Sequence, residues 1–263
     1  MVKLIASDID GTLMPYGETS LPPALFGLIR RLRAAGVLFC PASGRQYHSL
    51  RQLFAPVADE VCFLCENGAV VFGPGTEETA PVLSKTAMSR DEALSLARDI
   101  ASLPDSYALI SGQNTSYVCG WPEKLIRDFR GWTGNHVQPL DCAGDIQEDI
   151  LKVSACCPNP AAAADSLGPR WGTAFRMAVA GPIWLDFTVA DKAAGLRGLC
   201  RSLGTDLADV MAFGDNWNDV PMLEAAGIPW LMADADPALR PRFPRQCASV
   251  PAVLEQLLER LEQ

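Results

Sequence analysis

The sequence predicts an α/β fold, a doubly wound parallel sheet interrupted by an inserted α+β module. Three observations carry this. Short unbroken apolar runs alternate with amphipathic helical patterns at both ends of the chain, the rhythm of parallel strands joined by crossover helices. Several of those runs end in an acidic or hydroxyl residue beside a glycine, as expected at a sheet edge that faces a ligand. Between the two ends, hairpin-like strand pairs and segregated helices replace the alternation.

The elements follow in order. Residues 2–7 form an apolar run ending in Asp8, the pattern of a buried parallel strand. A helix is expected over 22–35, with Leu25, Leu28, Ile29 and Leu32 on one face, Pro22 and Pro23 at its start and Gly36 at its end. A strand over 37–41 leads into Ala42-Ser43-Gly44-Arg45, followed by a helix near 46–55 and a strand over 60–65, all read as the same sheet. Asn67-Gly68 reads as a tight hairpin turn into Ala69–Phe72. An acidic loop around Glu77 and Glu78 then runs to Pro81, and a helix opens with the capping box Ser89-x-x-Glu92. Strands near 106–111, 115–119, 150–156, 174–179 and 183–189, with helices near 122–131 and 159–167, complete the insert. The βα rhythm returns with a helix over 192–203, a strand over 210–213, a helix near 220–226, a strand over 228–232 and a final amphipathic helix. The expected division is 1–80 and 187–263 for the sheet domain and 81–186 for the insert.

At 263 residues the chain fits one large domain or two modest ones, at about 150 residues per domain. A membrane partner is not expected, because the longest apolar stretch, Met177 to Ala190, is broken by Gly181, Pro182 and Asp186. Asp8 cuts the N-terminal apolar run short, so a secretory signal is not expected either and the location is read as cytoplasmic. Acidic residues outnumber basic ones, 31 to 22, for a net charge of −9. That balance argues against nucleic acid as a partner and requires any phosphate site to be local. Two histidines, His48 and His136, are too few for a multi-histidine metal centre. Cys62-x-x-Cys65 has no second CxxC to complete a zinc site, and within a strand its two positions face opposite ways. Buried reduced thiols are expected there and at Cys156-Cys157.

Three strand ends carry candidate chemistry. Asp8-Ile9-Asp10-Gly11-Thr12 places two carboxylates two residues apart, where they can share a divalent cation. An ionised aspartate can attack phosphorus, and its neighbour can move a proton to and from oxygen. Gly214-Asp215-Asn216-Trp217-Asn218-Asp219 supplies two more carboxylates at a second strand end. Ser43-Gly44 offers a hydroxyl and backbone N–H groups to an anion at a third, and Lys192 a point charge. In the insert, Tyr117, Trp121, Arg130 and Trp132 are polar or aromatic candidates with no motif behind them.

Together these motifs resemble those of the haloacid dehalogenase (HAD) superfamily of phosphatases, and within it the Cof-type sugar-phosphatase subfamily with a large C2-type cap. The resemblance spans essentially the whole chain. The DxDGT motif matches Asp8–Thr12, the Ser/Thr motif Ser43, the Asn-Gly-Ala turn Asn67–Ala69, the lysine Lys192, and GDxxNDxxML Gly214 through Leu223. Ala193 stands where the subfamily usually has glycine. The resemblance implies a Rossmann-like core with the insert as a cap that selects the leaving group. It implies Asp8 as nucleophile and Asp10 as general acid/base. Mg²⁺ would be held by Asp8, the carbonyl of Asp10, and Asp215. Ser43, Gly44, Lys192, Asn218 and the backbone of Ile9 would grip the phosphoryl group, with Thr12 and Asp219 in support and Arg45 and Asn67 toward the substrate. The expected activity is Mg²⁺-dependent hydrolysis of small phosphorylated metabolites, sugar phosphates foremost, through an aspartyl-phosphate on Asp8. A phosphomutase or phosphotransferase would use the same first motif. A non-catalytic phospho-ligand-binding protein would be expected to have lost Asp8, Asp10 or Asp215, and all three are present.

Overall fold

The computed structural model describes residues 1–262. The chain folds as two compact units. One comprises Met1–Gly44, Leu50–Lys85 and the chain from Asp191 onward; the other comprises Arg45–Ser49 and Thr86–Ala190.

In chain order the elements begin with β1 (Leu4–Ser7), α1 (Pro23–Ala34), β2 (Leu38–Pro41), α2 (Tyr47–Leu53), β3 (Phe63–Cys65), β4 (Val70–Phe72) and β5 (Val82–Lys85). There follow α3 (Arg90–Ala101), β6 (Tyr107–Ser111), β7 (Ser116–Cys119), α4 (Glu123–Thr133), β8 (Val137–Leu140), β9 (Lys152–Cys156), α5 (Pro160–Trp171), β10 (Arg176–Val179) and β11 (Trp184–Thr188). The chain closes with α6 (Lys192–Leu203), β12 (Val210–Gly214), α7 (Val220–Ala225), β13 (Ile228–Met232), β14 (Gln246–Cys247) and α8 (Val250–Leu261).

The first unit is built on a parallel sheet in the order β14-β13-β12-β1-β2, the doubly wound core that the apolar runs predict. Leu4, Ile5 and Ala6 of β1 are fully buried, because a central parallel strand is covered on both faces. The face of α1 formed by Leu25, Leu28, Ile29 and Leu32 is buried as its spacing requires. Strand order reverses at β1, with β12 on one side and β2 on the other. In an open α/β sheet that point is where ligands bind, beyond the carboxyl ends of the strands.

Three local expectations are corrected. The strand expected over 60–65 pairs with β4, which pairs in turn with β5, in an antiparallel sheet, and it meets β2 through a short parallel contact, Cys62 N–H to Phe39 O, Ser43 N–H to Leu64 O and the Ala42–Leu64 bridge. Asn67-Gly68 is not a two-residue hairpin turn. Cys65 pairs with Val70, and the loop between them carries left-handed backbone at Glu66 (φ 50°), Asn67 (φ 55°) and Gly68 (φ 94°). The Ser89 side chain makes no capping hydrogen bond to α3.

The second unit is a six-stranded sheet in the order β10-β11-β9-β6-β7-β8. Alternation along the strands sends consecutive residues to opposite faces. One face packs Ile110, Val153, Ala155, Leu185 and Phe187 against Leu96 and Ile100 of α3 and Leu167 and Trp171 of α5. The other packs Leu109, Val118 and Cys156 with Trp121 and with Ile126 and Phe129 of α4. Trp121 is therefore core, its indole N–H donating to Ala108 O. The Tyr117 hydroxyl donates to Glu148 at 2.7 Å and Arg130 to Val137 O, while Trp132 is exposed. His48 stacks on His136 with ring centroids 3.5 Å apart. Among the described residues no helix is long and apolar enough to cross a membrane.

Candidate active site

The site assembles at the carboxyl ends of β1, β12 and β2. Register aligns Ser7 with Phe213 on one side and with Pro41 on the other, so Asp8, Gly214-Asp215 and Ala42-Ser43 leave the sheet side by side. Asp8 is 7% exposed and donates its N–H to Phe213 O. The chain then turns tightly, and the Ile9 carbonyl accepts from the N–H groups of Thr12, Leu13 and Met14 at 3.1, 2.9 and 2.8 Å. Asp10 lies on this turn, partly exposed. Gly11 has φ +90°, and a Cβ there would collide with Asp215 Oδ2 and lie 2.6 Å from the Tyr16 ring. Glycine is required at this position by both its backbone and its neighbours.

Asp215 is buried and held through both oxygens. The Thr12 hydroxyl donates to Oδ1 at 3.1 Å and the Tyr16 hydroxyl to Oδ2 at 2.6 Å. Asp219, fully buried, accepts at Oδ2 from the N–H groups of Asp215 and Asn216, both at 3.1 Å, which ties down the loop that presents Asp215. Its Oδ1 faces Lys192 Nζ at 2.5 Å, and the same Nζ lies 2.5 Å from Asp8 Oδ1. Lys192 is the first residue of α6. The preceding Asp191 caps that helix by accepting from Ala194 N–H, which fixes where the lysine starts.

Ser43 is buried; its N–H is taken by Leu64 O and its carbonyl accepts the N–H of Asn67. The Asn67 carboxamide lies against Gly44, where a Cβ would stand 3.0 Å from Nδ2, and Asn67 Oδ1 is buried without a hydrogen-bond partner. The turn bearing Asn67 abuts α6, since a Cβ on Gly195 would come within 2.7 Å of the Gly68 Cα. Asn218 is exposed on the β12–α7 loop, and Arg45 falls in the second unit. Trp217 is half-exposed and donates its indole N–H to Asp236 at 3.0 Å, so it neither packs beneath the sheet edge nor fills a cavity there.

The electrostatics are unbalanced. Ligand oxygens of the buried Asp8, Asp215 and Asp219 all lie within 4.8 Å of one another, and the Lys192 ammonium pairs with Asp8 and Asp219. Burial pushes the Asp8 carboxyl upward, with Asp219 and Asp215 adding to the effect, and Lys192 pulls against it. Burial also raises Asp215, with Asp219 contributing, against hydrogen bonds from Tyr16 and Thr12. For Lys192, burial alone would lower the ammonium, but Asp219 and Asp8 together hold it above the ordinary lysine range. Burial and donation to Asp215 raise the Tyr16 phenol, which keeps it a donor. An oxygen-only cluster with an excess of buried negative charge suits a hard divalent cation, and the residues present fit one.

Tyr16 is the residue that sequence reasoning missed. Pro15-Tyr16-Gly17 reads as an ordinary loop, and nothing in its spacing marks the tyrosine as a partner of a residue 199 positions away.

The family model for haloacid dehalogenase-like hydrolases matches residues 5–250. The chain is 27% identical over 248 residues to the 5-amino-6-(5-phospho-D-ribitylamino)uracil phosphatase YbjI of Escherichia coli, covering 90% of this chain and 88% of that protein. A crystal structure from Eubacterium rectale superposes with a TM-score of 0.86 at 26% identity, covering 97% of this chain and 99% of the other. The HAD subclass IIB sugar phosphatase BT4131 shares the fold, with a TM-score of 0.79 at 19% identity over 97% of this chain and 99% of its own.

Proposed function

The chain belongs to the haloacid dehalogenase-like hydrolases as a phosphatase of small phosphorylated metabolites, and on that premise we propose how it acts and on what. It is read as a cytoplasmic, Mg²⁺-dependent hydrolase of phosphate monoesters on polyhydroxylated carbon chains, sugar phosphates foremost. The likeness to a 5-amino-6-(5-phospho-D-ribitylamino)uracil phosphatase supports that substrate class, because that name describes a phosphate on a ribityl chain of hydroxyl-bearing carbons.

The observation that carries the mechanism is the buried pair Asp8–Lys192. An Asp8 oxygen attacks phosphorus, an aspartyl–phosphate bond forms and the ester P–O bond breaks. The leaving alkoxide takes its proton from Asp10. Water then attacks the same phosphorus, Asp10 accepts its proton, and the bond to Asp8 breaks to release inorganic phosphate. Lys192 sits against the attacking carboxylate and neutralises charge on the equatorial oxygens as they pass, the main task in phosphoryl transfer. Ser43, Gly44, the Ile9 backbone and Asn218 would hold the remaining oxygens. Asp8, the Asp10 carbonyl and Asp215 would hold the cation, which supplies charge neutralisation and in-line alignment. Asp219, with Oδ1 on Lys192 and Oδ2 on two N–H groups, is left to brace the others.

A panel of sugar phosphates and sugar-alcohol phosphates assayed with and without Mg²⁺ tests this reading beside Asp8→Asn. Mg²⁺-dependent phosphate release that disappears in Asp8→Asn, with a hydroxylamine-labile phosphoprotein in the wild type, supports it. Release that persists in Asp8→Asn removes Asp8 as nucleophile, and transfer to an added sugar outpacing transfer to water replaces hydrolase by phosphotransferase.

A further inference from the structure

We propose that Tyr16 is a positioning residue for the divalent cation, its phenol holding the Asp215 carboxylate in the orientation that binds the metal. The inference rests on the cation site of the proposed function and extends it to a residue outside the motifs.

The geometry is specific. Tyr16 is 68% exposed, yet its hydroxyl turns inward to a carboxylate that is itself buried, at 2.6 Å. Its ring lies over Gly11, whose missing side chain and φ of +90° make that approach sterically open. The Thr12 hydroxyl holds the other Asp215 oxygen at 3.1 Å. The terminal torsion of an aspartate is broad and roughly two-fold, so one hydrogen bond leaves it free to swing while two opposed bonds fix its plane. Each carboxylate oxygen has two lone pairs, so a hydroxyl on each leaves one pair per oxygen for a cation. Both anchors are neutral. They orient Asp215 without placing a positive charge beside the metal, as a lysine or arginine at position 16 would. The two hydroxyls sit on the loop that starts at Asp8, so that loop supplies one ligand and aims another.

The test measures Mn²⁺ binding by electron paramagnetic resonance, with Mg²⁺ as competitor, in wild type, Tyr16→Phe and Tyr16→Leu. It is read together with the melting temperature of each metal-free protein and with steady-state kinetics over a Mg²⁺ series. Loss of one hydrogen bond to a charged group predicts metal affinity weaker by about tenfold in both variants. The Mg²⁺ concentration for half-maximal rate should rise by the same factor, while KM at saturating Mg²⁺ stays as in wild type. A merely structural role would lower the melting temperature and leave metal affinity in place, which overturns the proposal. Equal affinity in Tyr16→Phe overturns it, as does loss confined to Tyr16→Leu, which would assign the effect to ring packing. Tighter binding in Tyr16→Phe also overturns it, because the phenol would then be competing for the cation's place. If the wild type binds neither metal, the cation site itself falls and this inference with it, an outcome distinct from a wild type that binds and variants that do not differ.

Discussion

Lys192 Nζ lies 2.5 Å from Asp8 Oδ1, although 184 residues and the whole second unit separate them in the chain. The lysine is 1% exposed and Asp8 7%, so neither charge has water to fall back on. A buried pair of this kind is poor evidence of stability, since desolvation offsets attraction, but it is costly to break from one side.

Lys192→Met should therefore destabilise the protein by about 3–5 kcal/mol in urea unfolding, because Asp8 and Asp219 would stay buried without their cation. Adding Asp219→Asn should recover part of the stability and none of the phosphatase rate. A single variant as stable as wild type would show that the ammonium is not what compensates these carboxylates.

Gly11 and Gly17 share nearly the same φ, +90° and +92°, but not the same surroundings. A Cβ at Gly17 meets nothing within 4 Å, whereas one at Gly11 strikes Asp215 and Tyr16. Gly17→Ala should cost about 1–2 kcal/mol of stability from left-handed backbone alone and leave turnover intact. Gly11→Ala should cost more and also raise the Mg²⁺ requirement. Equal effects of the two on turnover would contradict the close approach at Gly11.

Removing divalent metal should lower thermal stability. A ligand that binds only the folded state adds about 2.7 kcal/mol at a hundredfold excess over Kd, and the excess of buried carboxylate at Asp8, Asp215 and Asp219 is what it would relieve. Calorimetry with chelator and then with Mg²⁺ should show the melting temperature fall and recover. In Asp215→Ala the recovery should be lost.

Thiol reactivity should separate by burial. Burial pushes Cys40 and Cys65 well above the ordinary thiol value and Cys62 up to about 12. A raised value leaves the unreactive thiol in place until the pH climbs past it, so these three carry almost no thiolate at pH 8. Cys142 is exposed. Iodoacetamide at pH 8 should label Cys142 first in peptide mass spectra and reach Cys40, Cys62 and Cys65 only after denaturant is added. Early labelling at Cys62 and Cys65 would restore the CxxC pair as a reactive site.

The parts of the fold that were legible in the sequence are those with a burial signal of their own. β1 and β12 read as strands because central parallel strands are apolar on both faces, β2 because it is an apolar run buried over Phe39–Pro41 even at the end of the sheet, and α1, α3 and α6 read as helices because one face of each is buried. β5, β8 and β14 were not expected. Each lies at the edge of its sheet, and their burial is mixed or slight, so no apolar run announces them. Pro139 within β8 reads as a breaker in sequence, yet is tolerated on an edge. Arg45 was grouped by sequence with its neighbours Ser43 and Gly44, but it clusters with the second unit, a division that adjacency in the chain does not reveal.

The sequence by itself determined the α/β class, the strand ends and the identity of the acidic, hydroxyl and lysine groups they carry. Those follow from local patterns, in which apolar runs, glycine and the spacing of carboxylates are all short-range. The resemblance of the motifs grouped Asp8, Lys192, Asp215 and Asp219, and tertiary structure decided their contacts: that Lys192 bridges Asp8 and Asp219, and that Asn67 packs on Gly44. It also placed the tyrosine of an unremarkable loop on Asp215. Strand order in the sheet brings these groups together, and strand order is set by long-range packing that no local pattern encodes.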